Sequence, residues 1–292
     1  MKAGLAAVVG RPNVGKSSLV NRLVGSKVSI ISTRPQTTRA TIRGVLHGDG
    51  FQLVLVDTPG LHRPRMAVGE RLNRQVHGSL ADADLVLMVI DATQPIGPGD
   101  RLVAEAAGGI GRQVVLAVNK VDRARPPQIA RQLSTAAEWD FSAYVPVSAL
   151  TGQGVDVLLA EVVRRLPTGD PLFPPEQVTD RPEDFQVAEL IREKFLDRLE
   201  DELPHSVVVR VESIEDQGSH IRVEADVIVE RKSQKGIIIG AGGQLLGAAG
   251  AEARIELEER WQRPVHLELR VRVEDDWQRR PQLLDRLGFA EH

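Results

Sequence analysis

The sequence predicts a doubly wound α/β domain with a mostly parallel sheet, followed by a smaller α+β domain. Short apolar runs alternate with helical stretches through the first half of the chain, and these runs are continuous, as in strands buried on both faces. Five prolines between residues 167 and 182 then interrupt regular structure. Because the order of elements changes beyond them, we place the first domain at residues 1–168, a linker at 169–183 and the second domain at 184–292.

Five continuous apolar runs are the predicted parallel strands of the first domain. They cover residues 5–9, 51–57, 85–91, 114–119 and 144–147. A sixth run, residues 41–47, alternates between polar and apolar and reaches the next strand through a Gly-Asp-Gly turn, which predicts an antiparallel hairpin. Helices are predicted between the strands, among them residues 98–107 and 128–139.

The second domain has a different order of predicted elements. A helix is followed by two strands, a helix, a glycine-rich turn, another helix and a last strand. The elements with clear bounds are residues 186–200, 206–214, 220–229, 244–260 and 265–273. We interpret this order as an α+β domain of antiparallel type. A charged tail follows, with apolar residues at helical spacing at Trp277, Leu283, Leu284 and Leu287.

The composition excludes several classes of protein. The chain has 292 residues, 42% of them hydrophobic and 26% charged, and its lack of cysteine rules out disulfide frameworks, zinc ribbons and thiol nucleophiles. The seven histidines form no metal-binding pattern. The chain begins with an apolar strand rather than a signal peptide, and its central apolar runs are too short to cross a bilayer. We therefore expect a cytoplasmic protein.

Residues 10–17 match the phosphate-binding pattern G-x-x-x-x-G-K-[ST] between a predicted strand and a predicted helix. Gly10 and Gly15 allow the backbone to curl so that successive N–H groups point at phosphate oxygens. Lys16 supplies a positive charge for the β- and γ-phosphates, and the Ser17 hydroxyl is a ligand for Mg²⁺. The predicted phosphate-binding residues are Gly10, Asn13, Val14, Gly15, Lys16, Ser17 and Ser18.

Three later segments favour GTP over ATP as the ligand. Asp57 and Gly60 belong to an Asp-Thr-Pro-Gly segment, in which the carboxylate holds Mg²⁺ and the glycine N–H senses the γ-phosphate. In Asn-Lys-Val-Asp, the Asp122 carboxylate accepts two N–H donors that guanine has and adenine lacks. A Ser-Ala-Leu segment offers a backbone N–H to the guanine oxygen. The remaining predicted GTP contacts are Asn119, Lys120, Ser148, Ala149 and Leu150.

A loop threonine between the phosphate-binding loop and Asp57 is the predicted switch. Thr38 is favoured over Thr37 as the residue that reaches Mg²⁺ only when the γ-phosphate is present, and a polar surface turn is the alternative interpretation. The predicted metal ligands are therefore Ser17, Thr38 and Asp57.

The position that many GTPases use to orient the attacking water carries a leucine here, Leu61. The residues predicted to act in hydrolysis are Lys16, Thr38 and Gly60. Because Leu61 cannot orient water, another group must do so. One hypothesis is a monovalent cation near Asn13. Another is that His62 acts as a general base; the alternative interpretation is that His62 is a solvated loop histidine without a catalytic role.

The glycine-rich turn of the second domain looks like the G-x-x-G loop of a KH domain. Gly240 and Gly243 frame the turn, and such a loop clamps the backbone of a few single-stranded nucleotides beside an aliphatic groove. A glycine-rich turn that merely packs two helices is the alternative. The predicted RNA contacts are Arg231, Lys232, Ser233, Gln234, Lys235, Gly236, Ile239, Gly240, Ala241, Gly242 and Gly243.

The whole chain resembles the Era family of bacterial GTPases. The resemblance is carried by GRPNVGKS, QTTR, DTPG followed by Leu61, NKVD, SAL and VERKSQKGIIIG in this order. It implies a P-loop GTPase domain followed by a type II KH domain, Mg²⁺-dependent hydrolysis of GTP, and a role in assembly of the small ribosomal subunit. It also implies binding of GTP, GDP and the 3′ end of 16S rRNA, with GTP favouring the RNA-binding arrangement. We expect a monomer without a DNA partner.

The charge of the second domain departs from what RNA binding suggests. Residues 1–167 have 20 basic against 13 acidic side chains, whereas residues 168–292 have 17 against 27. Ala241 stands where the family often has lysine, and Gly247 where a basic residue is common. We therefore expect RNA binding with a shallow salt dependence. The alternative function is a GTPase whose second domain engages a protein or a membrane, including weak peripheral association with the inner face of the cell membrane.

Overall fold

A computed structural model describes residues 1–32, 34, 37–38, 40–60, 67–199, 203–275 and 277. The chain divides into two compact units. The first comprises Met1–Ile31 and Thr38–Asp180, and the second comprises Ser32–Thr37 and Arg181–His292. Among the described residues, no helix combines the length and apolar character needed to cross a membrane.

The first unit is a six-stranded sheet with helices on both faces. Its strands are β1 (Lys2–Val9), β2 (Ile42–Gly48), β3 (Phe51–Asp57), β4 (Leu85–Asp91), β5 (Gln113–Asn119) and β6 (Ala143–Pro146). Its α-helices are α1 (Lys16–Val24), α2 (Ala67–Asp82), α3 (Pro98–Gly108), α4 (Pro126–Ala136) and α5 (Val155–Arg165). The strand order is β2-β3-β1-β4-β5-β6, in which β2 pairs antiparallel with β3 and all other pairs are parallel. The predicted doubly wound sheet and its hairpin are confirmed.

Two hydrophobic cores, one on each face of the sheet, explain why the strands are continuously apolar. Leu19 and Leu158, from α1 and α5, pack in one core, and Leu80 and Val103, from α2 and α3, pack in the other. Every residue of β4 is buried. Since neither face of this strand meets water, apolar residues are favoured along it. Burial of apolar surface stabilises the fold by about 25 cal/mol per Å².

The parallel pairing brings the chemistry-bearing segments to one edge of the sheet. The carboxyl ends of β1, β3, β5 and β6 meet there, because parallel strands share their direction. β1 lies between β3 and β4, which come later in the sequence, so the strand order reverses at β1. Ligands of open α/β sheets bind at such a point.

Much of the predicted linker is held against the first unit by Gln52 and β2. Gln52 is 1% exposed, and its Nε2 donates to the Phe173 carbonyl at 2.8 Å. Its Oε1 accepts from the N–H groups of Leu172 and Phe173 at 2.6 and 3.0 Å. Val45 N–H donates to the Val178 carbonyl at 2.9 Å. The segment after Pro167 therefore has fixed partners in the first unit at Leu172, Phe173 and Val178.

We expect Gln52→Ala to lower the free energy of unfolding of the first unit by about 2 kcal/mol, because two part-buried N–H groups and one part-buried carbonyl lose their side-chain partner. Urea denaturation of the full chain measures the effect. The exposed Gln113 at the start of β5 provides the control, Gln113→Ala, with an expected change within about 0.5 kcal/mol. Equal effects of the two substitutions would contradict the prediction.

The second unit is a three-stranded sheet covered by helices on one face. Its elements are α6 (Glu183–Leu196), α7 (Leu203–Ser206), β7 (Val208–Asp216), β8 (Ile221–Val229), α8 (Lys232–Ile239), α9 (Gln244–Trp261) and β9 (Val265–Val273). Buried residues of α6 and α9, such as Phe195 and Leu257, pack with Val223 and Val227 of β8. Trp277 is also buried, and the predicted helical spacing of Leu283, Leu284 and Leu287 falls outside the described residues.

The predicted antiparallel type of this sheet is wrong for one of its two strand pairs. β7 and β8 are antiparallel, but β8 and β9 are parallel over their full length. The reason is the connection: the chain runs from β8 through α8 and α9 before β9 begins, which returns it to the end where β8 started. The sequence pattern alone did not indicate which strands pair.

Candidate functional site

The phosphate-binding loop begins where β1 ends and leads directly into α1. Asn13 has φ 63° and Gly15 has φ 96°, so the loop adopts left-handed conformations that turn its N–H groups inward. A Cβ atom on Gly15 would lie 2.3 Å from the Asn119 Nδ2, so no larger residue fits. The loop therefore presents backbone donors at the N-terminus of a helix, which is a favourable site for an anion.

Lys16 is the buried cation of this loop. It is 7% exposed, and its Nζ donates to the carbonyls of Gly10 and Arg11, both at 3.0 Å. Burial lowers the pKa of Lys16 to about 8, and the nearby Asp57 carboxylate opposes the fall. An anion at the loop would relieve this burial cost. The lysine is thus placed for phosphate oxygens rather than for solvent.

Three oxygen-bearing side chains from different segments meet next to Lys16. The Ser17 hydroxyl donates to Asp57 Oδ2 at 2.8 Å and lies 3.0 Å from the Thr38 hydroxyl. Thr38 also donates to Asp57 Oδ2 at 3.4 Å. Burial raises the pKa of Asp57, and the Lys16 ammonium with nearby hydroxyls opposes this.

This cluster fits a magnesium ion. All its donors are oxygens, the ligand type that Mg²⁺ prefers, and Mg²⁺ is commonly bound by one or two carboxylates, waters and phosphate oxygens. Asp57 is fully buried, and its Oδ1 has no hydrogen-bond partner among the described residues. Thr37, the less favoured switch candidate, instead donates its hydroxyl to the Arg34 carbonyl at 2.8 Å.

Asn119 joins the phosphate end of the site to the base end. Its Nδ2 donates to the Val14 carbonyl at 2.9 Å, and its Oδ1 accepts from Ala149 N–H at 3.0 Å. Lys120 is left-handed, with φ 67°, and its Nζ donates to the Asn13 carbonyl at 2.6 Å. One short segment after β5 therefore contacts both other loops.

The Asp122 carboxylate is held in one orientation at the base end. The Ser148 hydroxyl donates to Asp122 Oδ1 at 2.6 Å, and Ser148 is itself fully buried. The Asp122 side chain keeps 15% exposure, and its Oδ2 lies 3.7 Å from Nε of the exposed Arg123. Leu150 is 65% exposed. An acceptor with this fixed direction suits a base edge with N–H donors.

The remaining predicted nucleotide residues lie where the loops meet. A Cβ atom on Gly60 would lie 2.9 Å from the Pro12 nitrogen, which brings the Asp-Thr-Pro-Gly backbone against the phosphate-binding loop. Ser18 is half-buried in the first turn of α1. Leu61 and His62 fall outside the described residues, so the two hypotheses for positioning water remain predictions.

Three contributors to this site were missed by the sequence reasoning. Arg22, near the end of α1, donates its Nε to the Ala149 carbonyl at 2.9 Å and its Nη2 to the Leu150 carbonyl. Asp91, at the end of β4, pairs with Lys120 at 2.7 Å. Burial opposes ionisation of Asp91, but hydrogen bonds from Lys120 and Thr93 outweigh it and lower its pKa. Asn21 on α1 bonds to the backbone of Val28 and Ser29, at the start of the loop that leads to Thr38.

We expect Arg22→Ala to speed GDP dissociation about five- to tenfold, because two carbonyls of the Ser-Ala-Leu loop lose their charged donor and the loop becomes less fixed. Stopped-flow displacement of a fluorescent GDP analogue measures the rate. The matched control is Arg112→Ala, an exposed arginine outside the site. A rate for the Arg22 variant equal to that of the control would contradict the prediction.

The glycine-rich turn of the second unit joins α8 to α9 by one short helical turn. Gly240 has φ 75° and ψ 172°, and a Cβ atom there would lie 2.9 Å from the Leu245 nitrogen. Gly242 and Gly243 are also left-handed, with φ 58° and 81°. Ala241 and Gly242 are exposed at the tip. The turn therefore presents backbone rather than long side chains.

The predicted RNA contacts differ in how accessible they are. Arg231, Lys232 and Lys235 are exposed, and together they form a basic approach to the turn. The Gln234 amide is engaged instead, because its Oε1 accepts from the N–H groups of Glu230 and Arg231 at 2.9 and 3.0 Å. The remaining predicted contacts, Ser233, Gly236 and Ile239, lie on α8.

An aliphatic side chain next to the turn was also missed. Ile237 is 50% exposed on α8, whereas its neighbour Ile238 is fully buried. Half-exposed isoleucine beside exposed cations is a suitable surface for a nucleotide base. Helical spacing with a known inward face would have identified Ile237, but the inward face was known only from the structure.

Comparison with known proteins agrees with both units. A family model described as a 50S ribosome-binding GTPase matches residues 5–120, and a KH domain model matches residues 202–278. GTPase Era from Mycobacterium avium is 46% identical over 295 residues, which cover 99% of this chain and 99% of the relative. The chain belongs to the Era family of GTPases. GTPase Era from Mycobacterium tuberculosis is likewise 46% identical, with 98% of each chain covered.

Two solved Era structures match the whole chain. One is a single-residue variant of Aquifex aeolicus Era bound to GDP·AlF₄⁻, and the other is Era in complex with MgGDPNP and nucleotides 1506–1542 of 16S ribosomal RNA. Each is 36% identical to this chain with a TM-score of 0.95, and each match covers 100% of this chain and 100% of the solved chain. The predicted family, the order of GTPase and KH domains, and GTP hydrolysis as the activity are thereby confirmed.

Proposed function

We propose that this Era-family GTPase binds the 3′ region of 16S rRNA through its KH domain and assists assembly of the small ribosomal subunit as a GTP-dependent switch. The full-length similarity to the Era complex with MgGDPNP and 16S rRNA carries this proposal. The exposed surface around the glycine-rich turn supports it. We expect the protein to act as a cytoplasmic monomer without a DNA partner.

The RNA surface that we propose has three parts. The backbone of residues 240–243, exposed at Ala241 and Gly242, approaches the phosphates, and the Ile237 side chain contacts a base. Lys232 and Lys235 neutralise phosphates on the approach. Because Ala241 adds no charge at the tip, few phosphate contacts form, and the salt dependence of binding is shallow.

The test is binding of an oligonucleotide with the 3′-terminal sequence of 16S rRNA to the full chain loaded with a GTP analogue. We expect Lys235→Ala to weaken binding about threefold and to flatten the salt slope by about one unit. Lys27→Ala, an exposed lysine of the first unit, is the matched control. No binding at low salt with GTP hydrolysis intact would favour the protein- or membrane-partner alternative.

In the nucleotide site, we propose that Ser17, Thr38 and Asp57 hold Mg²⁺, the last through water. When bound, the ion neutralises charge that develops on the phosphates. Lys16 and the N–H groups of residues 13–18 bind the phosphates. The Gly60 N–H binds the γ-phosphate when it is present, because Gly60 lies against the phosphate-binding loop.

The base end of the site selects guanine. Asp122 accepts the two ring-edge donors. The Leu150 N–H faces the base oxygen, because the Ala149 N–H already donates to Asn119 Oδ1. Asn119 and Lys120 keep this loop against the phosphate end. Since adenine would leave Asp122 without donors, ATP binds poorly.

We propose a monovalent cation as the group that substitutes for the missing glutamine. Asn13 supports this role, because it is an exposed residue of the phosphate-binding loop and its backbone is left-handed. The test is the rate of GTP hydrolysis in potassium against sodium at equal ionic strength. Equal rates would leave His62 or a backbone group as the candidate.

A further inference from the structure

Arg11, in the phosphate-binding loop, forms an ion pair with a helix that contains none of the nucleotide motifs. Its Nε donates to Asp100 Oδ1 at 2.6 Å, across 89 positions of sequence. Asp100 lies in the first turn of α3 and is 1% exposed. Its Oδ2 accepts from the Gly97 N–H at 2.9 Å, which caps the helix. Because a buried carboxylate is unfavourable without such partners, the pair with Arg11 is kept together.

The stem of the Arg11 side chain lies against α3 at a position where a residue larger than glycine would displace it. A Cβ atom on Gly99 would lie 2.7 Å from Arg11 Cδ and 3.2 Å from Arg11 Cγ. These carbons are in the middle of a side chain whose Nε is bound to Asp100, so they cannot move aside without disturbing the ion pair. Arg11 therefore has one fixed position between the loop and the helix.

The backbone next to this side chain contacts two groups of the nucleotide site. The Arg11 carbonyl accepts from Lys16 Nζ at 3.0 Å. The following residue, Pro12, lies against Gly60, where a Cβ atom would be 2.9 Å from the proline nitrogen. Lys16 and Gly60 are the two proposed contacts of the γ-phosphate. The position of Arg11 therefore affects both of them.

A second contact holds the loop on the other side of Pro12. Lys120 Nζ donates to the Asn13 carbonyl at 2.6 Å and to Asp91 Oδ2 at 2.7 Å. Asp91 is the last residue of β4, and the chain continues from there to α3. The stretch from the end of β4 to the first turn of α3 thus fixes the loop on both sides of Pro12. A loop that is fixed before the nucleotide arrives loses less conformational freedom on binding.

We propose that Arg11 is a positioning residue for the γ-phosphate end of the nucleotide site, and that Asp100 acts through it. The ion pair fixes the backbone of residues 11 and 12, and thereby the places of Lys16 and Gly60. This inference rests on the proposed nucleotide site. GDP also binds the N–H groups of residues 15–18, which α1 keeps in place. The ion pair therefore contributes more to the binding and hydrolysis of GTP than to the binding of GDP.

A purely structural ion pair and this positioning role predict different results. If the pair only attached α3 to the loop, its removal would lower the unfolding temperature and weaken the binding of GDP and GTP by the same factor. The positioning role instead changes the ratio of the two affinities and slows hydrolysis at saturating GTP.

The first experiment uses Arg11→Met in the full chain, because methionine keeps a long stem but has neither charge nor N–H donor. We expect the affinity for a non-hydrolysable GTP analogue to fall about tenfold, the affinity for GDP to stay within about twofold, and single-turnover hydrolysis to slow about tenfold. Arg101→Met, at an exposed arginine of the same helix, is the matched control. Competition against a fluorescent nucleotide measures the affinities.

The second experiment, with Gly99→Ala, keeps both partners of the ion pair. The added methyl group displaces the Arg11 stem, whereas alanine is the better helix former. We expect hydrolysis to slow about threefold, with an unfolding temperature no lower than that of the wild type. Gly78→Ala on α2 is the matched control, because a Cβ atom there has nothing within 4 Å.

Two results would overturn the inference: equal losses of GTP and GDP affinity in Arg11→Met, or a wild-type rate of hydrolysis in Gly99→Ala. The second result decides alone if Arg11→Met does not fold. Failure of the underlying nucleotide site has a different signature. In that case Lys16→Ala would bind and hydrolyse GTP like the wild type.

Discussion

Asp122→Asn is expected to lower the affinity for GDP about 10³-fold and to make xanthosine diphosphate the preferred ligand. The carboxylate accepts two donors from guanine, whereas an asparagine amide offers one acceptor and one donor. Xanthine carries an oxygen where guanine carries its amino group, so it matches the amide. Ser148 keeps the side chain in the same orientation in both proteins.

Competition of GDP, xanthosine diphosphate and ADP against a fluorescent nucleotide measures this exchange. Asp49→Asn, in the exposed turn between β2 and β3, is the control and should bind GDP like the wild type. Equal affinity of the wild type for GDP and ADP, unchanged by Asp122→Asn, would refute the assignment of Asp122 to the base.

Lys16→Ala is expected to reduce GTP hydrolysis about 10³-fold, because the positive charge beside the transferred phosphate is lost. The wild-type protein should also show a pH effect on nucleotide affinity. The pKa of Lys16 is about 8 in the nucleotide-free protein, and a bound polyphosphate raises it by charge attraction. Binding then takes up a proton above pH 8.

Affinity for GDP is therefore highest below pH 8 and falls as the pH rises through that value, whereas the Lys16→Ala variant has a flatter profile. Fluorescence titration between pH 6.5 and 9.5 at saturating Mg²⁺ tests this. Lys27→Ala serves as the control, since this lysine is exposed. An identical slope in wild type and Lys16→Ala would assign the pH effect to another group.

The sequence predicted the fold and motif positions well where periodicity and local motifs carry the information. Continuous apolar runs indicated buried parallel strands, and in such a sheet residues after β1, β3 and β5 must share one edge. The structure brings Lys16, Asp57 and Asn119 together there. Thr38 also lies beside Ser17 and Asp57, as expected from the preference for Thr38 over Thr37 as the switch residue.

What could not be predicted depends on which distant side chains meet. Arg22 reaches the Ala149 carbonyl across 127 positions, and Gln52 reaches Phe173 across 121. Neither has a local motif. The parallel pairing of β8 with β9 was missed for the same reason, since strand neighbours follow from how α8 and α9 return the chain.

The contacts of residues 177–180 with β2 determine where the first unit can be cut. A chain truncated after residue 168 would leave the outer N–H and C=O groups of β2 unpaired. Val45 N–H would lose its bond to the Val178 carbonyl, and Gly44 would lose its bridge to Thr179. Such a bare strand edge templates association between copies. A shortened protein ending at Asp180 would keep its edge capped, including the Arg43–Asp180 ion pair, and stay dispersed in solution.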